Sequence, residues 1–143
     1  MGIQRHTTAW YMALDAYVRE RESMPFEWGS NDCCTFAADW VRIARGTDPM
    51  ADLRGMFGAG SKLARAHGAC TWLASNGGLL AAVTARMGHP IDGRLAQVGD
   101  VALVRHDGTR LSMGVCMGAH VAAPGLCGLL MVPILQGQLA WRV

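Results

Sequence analysis

The stretch Trp28-Gly29-Ser30-Asn31-Asp32-Cys33-Cys34-Thr35-Phe36-Ala37-Ala38-Asp39-Trp40-Val41-Arg42-Ile43-Ala44-Arg45-Gly46 decides the fold. Within it, Cys33, Phe36, Ala37, Trp40, Val41 and Ala44 fall at offsets 0, 3, 4, 7, 8 and 11, which is one stripe along a helix. Asn31 or Asp32 can serve as the N-cap, and Gly46 follows the last turn as a residue free to adopt a left-handed conformation. The spacing therefore predicts a helix over about 32–45 with one apolar face. Cys33 lies in its first turn on that face, and Cys34 is rotated about 100° away. Cys34 reads as a small residue on the helix surface or just behind Cys33.

Upstream, Trp10, Ala13, Leu14 and Tyr17 recur at helical spacing, predicting a helix over about 8–22 that ends in a charged run and is broken by Ser23-Met24-Pro25. Downstream, residues 61–75 and 79–87 read as two further helices separated by Asn76-Gly77-Gly78. The period then changes. Val101–Val104, Leu111–Met117, Cys127–Val132 and Leu139–Val143 read as strands, with His106-Asp107-Gly108 turning the chain after the first. Helices first and a small antiparallel sheet over about 100–143 make the expected class α+β, as a single domain over 1–143.

Composition narrows the function classes. The chain has 143 residues, of which 51% are apolar and 17% charged, and its mean hydropathy is +0.17. So much apolar side chain can offset the ordering entropy of folding, which argues against disorder. The longest apolar stretch, around Leu126–Leu135, runs about ten residues and contains Gly128 and Pro133, whereas a spanning helix needs about 20. No membrane insertion is expected, and MGIQRHTTAWYM has no apolar run of a secretory leader. The basic side chains are twelve Arg and one Lys, scattered, and the net charge is +2. That is too little to expect nucleic acid as a partner. The scarcity of charge suggests instead a surface partly covered by protein.

The five cysteines are Cys33, Cys34, Cys70, Cys116 and Cys127. Their odd number and the lack of CxxC spacing predict free thiols in a reducing compartment. No metal or other cofactor is expected. Cys33 is the candidate nucleophile. A thiol at a helix N-terminus feels the positive end of the helix dipole and unsatisfied N–H groups, which favour the thiolate. Trp28-Gly29 would supply an aromatic wall and a close backbone approach, while the Asp32 carboxylate opposes activation.

These residues carry a resemblance. Trp28-Gly29-Ser30-Asn31-Asp32-Cys33-Cys34-Thr35-Phe36-Ala37 resembles the nucleophile segment of the NlpC-type cell-wall peptidases, which are papain-like cysteine peptidases. Gly99-Asp100-Val101-Ala102-Leu103-Val104 and Leu111-Ser112-Met113-Gly114-Val115-Cys116-Met117-Gly118 are similar to two of that family's strands. Leu53-Arg54-Gly55 and the C-terminal Ala140-Trp141-Arg142-Val143 resemble a shorter subfamily encoded beside tail-tip genes of tailed phages, prophages and gene-transfer agents. The resemblance implies a papain-like fold with Cys33 as nucleophile. The family's catalytic His maps onto Ser112, and its third polar residue falls near Val121–Ala123, where no ring-orienting group stands. His106 and His120 are the histidines that could act as base instead.

Two readings follow from the resemblance. In the favoured one the chain is a tail-tip or baseplate component of a virion, assembled in the host cytoplasm among other tail proteins. Its peptidase-like domain is then degenerate and structural. In the alternative it is an active endopeptidase that cleaves peptidoglycan through Cys33, with His106 or His120 as base.

Overall fold

The computed structural model describes residues 2–56 and 60–143; Met1 and residues 57–59 of the expected domain lie outside the described residues. Four helices precede a six-stranded sheet. The helices are α1 (Thr8–Arg21), α2 (Cys33–Arg45), α3 (Lys62–Ser75) and α4 (Leu79–Met87). The strands are β1 (Ile91–Asp92), β2 (Val101–His106), β3 (Arg110–Cys116), β4 (His120–Gly125), β5 (Gly128–Pro133) and β6 (Gly137–Trp141). Short 3₁₀ turns at Gly93–Leu95 and Ile134–Gln136 follow β1 and β5. Every strand pairing is antiparallel, in the order β1-β6-β2-β3-β4-β5. The class is α+β, as the sequence predicts.

Asp32, not Asn31, caps α2. Its carboxylate accepts the Thr35 N–H at 2.8 Å, while the Thr35 hydroxyl accepts the Asp32 N–H at 2.9 Å. Two orphan donors are thus satisfied reciprocally. The other Asp32 oxygen takes the Gly29 N–H at 2.9 Å, which folds the Trp28-Gly29 turn onto the helix start. Asn31 is buried and ties the preceding loop, donating to Pro25 O and accepting from Arg21. At the far end Gly46 takes φ 80° and returns its N–H to Arg42 O.

The α2 stripe packs between α1 and the sheet. Phe36, Trp40, Val41 and Ala44 are buried together with Trp10, Leu14 and Tyr17 of α1 and with Val101, Leu103, Met113 and Val115 of β2 and β3. Trp10 meets Trp40 edge-on with ring centroids 5.2 Å apart, a favoured aromatic geometry. Trp40 Nε1 donates to Gly99 O at 2.8 Å. Gly99 sits at φ +89°, and a Cβ there would come within 2.5 Å of the Trp10 ring, so the turn before β2 requires glycine.

The alternate residues Ala102 and Val104 of β2, with Val121, Val132 and Ala140, bury the opposite face of the sheet. That face is covered in part by Ile91, Ala96 and Ile134, from β1 and the two 3₁₀ turns.

Two strands differ from the hydrophobic pattern. The pattern alone shows no strand at β4, although the resemblance places one near Val121–Ala123. Here Val121, Ala122 and Ala123 are fully buried, and small residues fit a strand closed on both sides. The two-residue β1 precedes the expected sheet and pairs with β6 through Ile91↔Ala140 and Asp92↔Leu139. It is too short to leave a periodic signal.

Candidate functional site around Cys33

Cys33 and Cys34 open together on an apolar cavity of about 210 Å³. One wall is α2, through Ala37, Ala38 and Val41; another is the sheet, through Val101, Leu111 and Met113. The remaining wall is the α3–α4 pair, with Ala69, Trp72, Leu73, Leu79, Val83 and Met87, together with the loop residues Pro49, Met50 and Leu53. Trp28 lines it as the sequence suggests. Cys34 does not lie on an outer helix surface: both thiols face the cavity, because α3 and α4 wrap the side of α2 that the stripe leaves uncovered.

The surroundings push the two thiols apart. Cys33 is lowered below the ordinary thiol range, chiefly because the Cys34 S–H is placed to donate to its sulfur, against the opposing effect of burial. The Met113 backbone N–H also favours the Cys33 thiolate, and the Asp32 charge opposes it, as its position predicts. Cys34 is raised well above the ordinary range by its bond to Cys33 and by burial.

Met113 has an N–H to give because the β3–β4 ladder is short. The two strands pair only at Val115↔Ala122 and Cys116↔Val121. That pairing stops short of Met113, so the ladder does not take up its N–H. This donor lies outside what periodicity can reveal.

No histidine lines the Cys33 cavity among the described residues. Strand alternation explains why. Leu111 and Met113 of β3 face Cys33, so Ser112 points to the other side of the sheet. There Ser112 Oγ lies 2.8 Å from His106 Nε2, and His106 Nδ1 lies 3.4 Å from Asp107 Oδ2. His106 therefore sits on the face away from Cys33, beside a second pocket bounded by Arg105, Asp107, Leu130 and Gln136.

His120 begins β4 and is exposed. In the β3–β4 register it stands at the level of Met117, four residues from Met113, or about 13 Å along the strand. Of the three expected catalytic residues, Cys33 lines the cavity. His106 and His120 are not brought to it, because one points through the sheet and the other lies at its far end. The register also means that a histidine at 112 would face away from the sulfur.

Asp100 is structural, as its place before β2 suggests. It is fully buried, accepts the Gln97 N–H at 2.8 Å, and pairs with Arg5 and with Arg142, each at 2.7 Å. The Gly99-Asp100 and Trp141-Arg142 motifs are thus partners in one cluster. Arg54 of the Leu53-Arg54-Gly55 turn likewise reaches Asp39 of α2 at 2.7 Å and Asp48 at 2.5 Å.

A family described as "domain of unknown function (DUF6950)" matches residues 5–143. The chain belongs to that family. No curated protein matches the chain. The DUF6950 match spans α1 through β6, including the cavity, both thiols and the Asp39 and Asp100 clusters. Among the described residues, no group of three or more His, Cys, Asp or Glu side chains clusters as a metal site needs. No described helix is long and apolar enough to cross a membrane.

Chemically, the site offers a thiol whose surroundings favour ionisation, in an apolar chamber with no imidazole among the described residues. A positioned general base contributes about 10²–10⁴-fold to acyl transfer, and in amide cleavage it must also protonate the departing amine. Among the described residues no imidazole at the chamber supplies either function.

Proposed function

We propose that the chain is a tail-tip or baseplate component of a virion, built on a degenerate NlpC-type papain-like domain that serves assembly rather than hydrolysis. The observation that carries the non-hydrolytic half is the Cys33 cavity, whose described lining holds no imidazole while His106 is bonded to Ser112 on the other face of the sheet. The resemblance in order of motifs supports the virion half. So does the surface. Leu95 and Leu135, on the two 3₁₀ turns, are 64% and 77% exposed, and Leu126 is 84% exposed. With so few charges, such side chains are more economically covered by neighbouring subunits than left in water.

The test is incorporation. Purified particles from a producing host should contain the chain, deletion of its gene should block tail completion, and Cys33→Ala should restore it. Complete tails without the chain would contradict the assembly role. The alternative, an active endopeptidase, requires a base at Cys33 that no described side chain provides.

A further inference from the structure

We infer that the cavity beside Cys33 and Cys34 is a binding site for a medium-length acyl chain presented as a thioester, and that the Cys33 sulfur accepts that acyl group. This goes beyond the assembly role and does not depend on it.

The walls set the ligand class. Ala38, Leu73, Leu79, Val83, Met87 and Met113 present hydrocarbon and thioether to the interior. The charged side chains at its edge are already engaged: Asp32 caps α2, and Arg86 is bonded to Asp52 and to Pro49 O. A polar peptide or glycan would leave its own groups unpaired there. A cavity of about 150 Å³ lined by apolar side chains holds a six-carbon ring. By that scale about 210 Å³ accommodates roughly eight carbons.

The thiols set the reaction class. Cys33 is flanked by two donors that favour its thiolate, the Cys34 S–H and the Met113 N–H. An amide nitrogen cannot depart without a proton from a general acid, and no imidazole among the described residues lines the cavity to give one. A thiolate is a far better leaving group and needs no such help. The step balances without an oxidant. Cys33 first loses its proton to solvent. The sulfur then attacks the thioester carbonyl, a new carbon–sulfur bond forms, the old one breaks, and the departing thiolate takes a proton from solvent. Release by water would again require a base, so the acyl group stays on Cys33.

Entry is by way of the α3–α4 wall. Each of these helices buries a single residue, Ala69 or Ala82. They are tied to the body by exposed or half-exposed struts, Arg65 to Glu27 and to Trp28 O, and Arg86 to Asp52. This is the least firmly packed part of the chamber.

The test exposes the full chain to the N-acetylcysteamine thioesters of octanoic and acetic acid and maps the adducts by mass spectrometry. Octanoyl should appear on Cys33 at least about tenfold faster than acetyl, because each further buried methylene favours the longer chain. The adduct should persist at neutral pH and be released by hydroxylamine. Cys33→Ala should lose it. Val83→Phe, which narrows the cavity from α4, should bring the ratio of octanoyl to acetyl labelling down toward one. The inference is overturned if octanoyl and acetyl label Cys33 equally. It is also overturned if the exposed Cys70 and Cys127 are labelled as fast as Cys33, or if folded protein is not labelled at Cys33.

Discussion

Two adjacent cysteines in one helical turn have opposite tendencies to ionise, and the cause is local. Cys34 donates its S–H and is held neutral; Cys33 receives it and is held toward the thiolate. Removing the donor should reverse that bias. In Cys34→Ala the pH midpoint for alkylation of Cys33 by iodoacetamide, followed by peptide mapping, should move upward. A midpoint that stays or falls would show that Cys34 does not favour the thiolate. In the wild type Cys33 should react at a lower pH than Cys34.

The place of Cys33 is legible in the sequence, because an Asp cap and a periodic stripe fix the start of α2 to within a residue. The role of Cys34 is not legible. A helical wheel rotates it off the stripe, and only the arrival of α3 and α4 turns that flank into a chamber wall. The separation of His106 and His120 from the sulfur is equally hidden, since one residue of register decides which face a strand side chain takes.

Among the elements, those with a strong period are the ones the sequence reveals. α1 and α2 stand close to the bounds that apolar spacing predicts, and α3 and α4 close to those set by the breaks at Asn76-Gly77-Gly78 and Gly88-His89-Pro90. β4 leaves little signal, for its alanines and Pro124 resemble loop or helix composition more than strand.

The elements also differ in how firmly they are held. α2 buries Phe36, Trp40, Val41 and Ala44, whereas α3 and α4 bury one alanine each. Native-state hydrogen exchange should therefore release the α3 and α4 amides well before those of α2 and β2. Arg86→Ala, which removes the tie to Asp52 and Pro49 O, should speed exchange in α4 while leaving α2 unchanged. Uniform protection across all four helices would argue against a loosely held wall.

At the scale of the whole molecule, buried aspartates join distant parts of the chain. Asp100 gathers Arg5 from the N-terminal segment and Arg142 from the C-terminus, and Asp39 gathers Arg21 and Arg54. Breaking such a pair leaves uncompensated charge, at a cost of about 3 kcal/mol for a well-buried partner. Asp100→Asn should lower stability by about that amount in urea unfolding; a change under about 0.5 kcal/mol would mean that solvent already screens the two arginines.

Tyr17 gives a pH signature of the core. Burial raises its hydroxyl well above the usual range, and the hydroxyl donates to Phe36 O at 2.6 Å. Its folded value exceeds its unfolded value, so its contribution is intact below about pH 10 and is lost as pH rises beyond that. Tyr17→Phe should flatten the alkaline fall in Tm, and an unchanged alkaline limb would contradict this linkage.

Under the proposed assembly role, neighbouring subunits would cover the exposed leucines at 95, 126 and 135, and 17% charge would suffice for the rest of the surface. A subunit in that proposed role would need no working peptidase centre. The most direct measurement is digestion of purified peptidoglycan by the full chain and by Cys33→Ala, followed by chromatography of the released muropeptides. The two proteins should give identical profiles, indistinguishable from buffer. Cross-link cleavage by the wild type that Cys33→Ala abolishes would mean that a base reaches the sulfur after all, and the domain would be an active hydrolase.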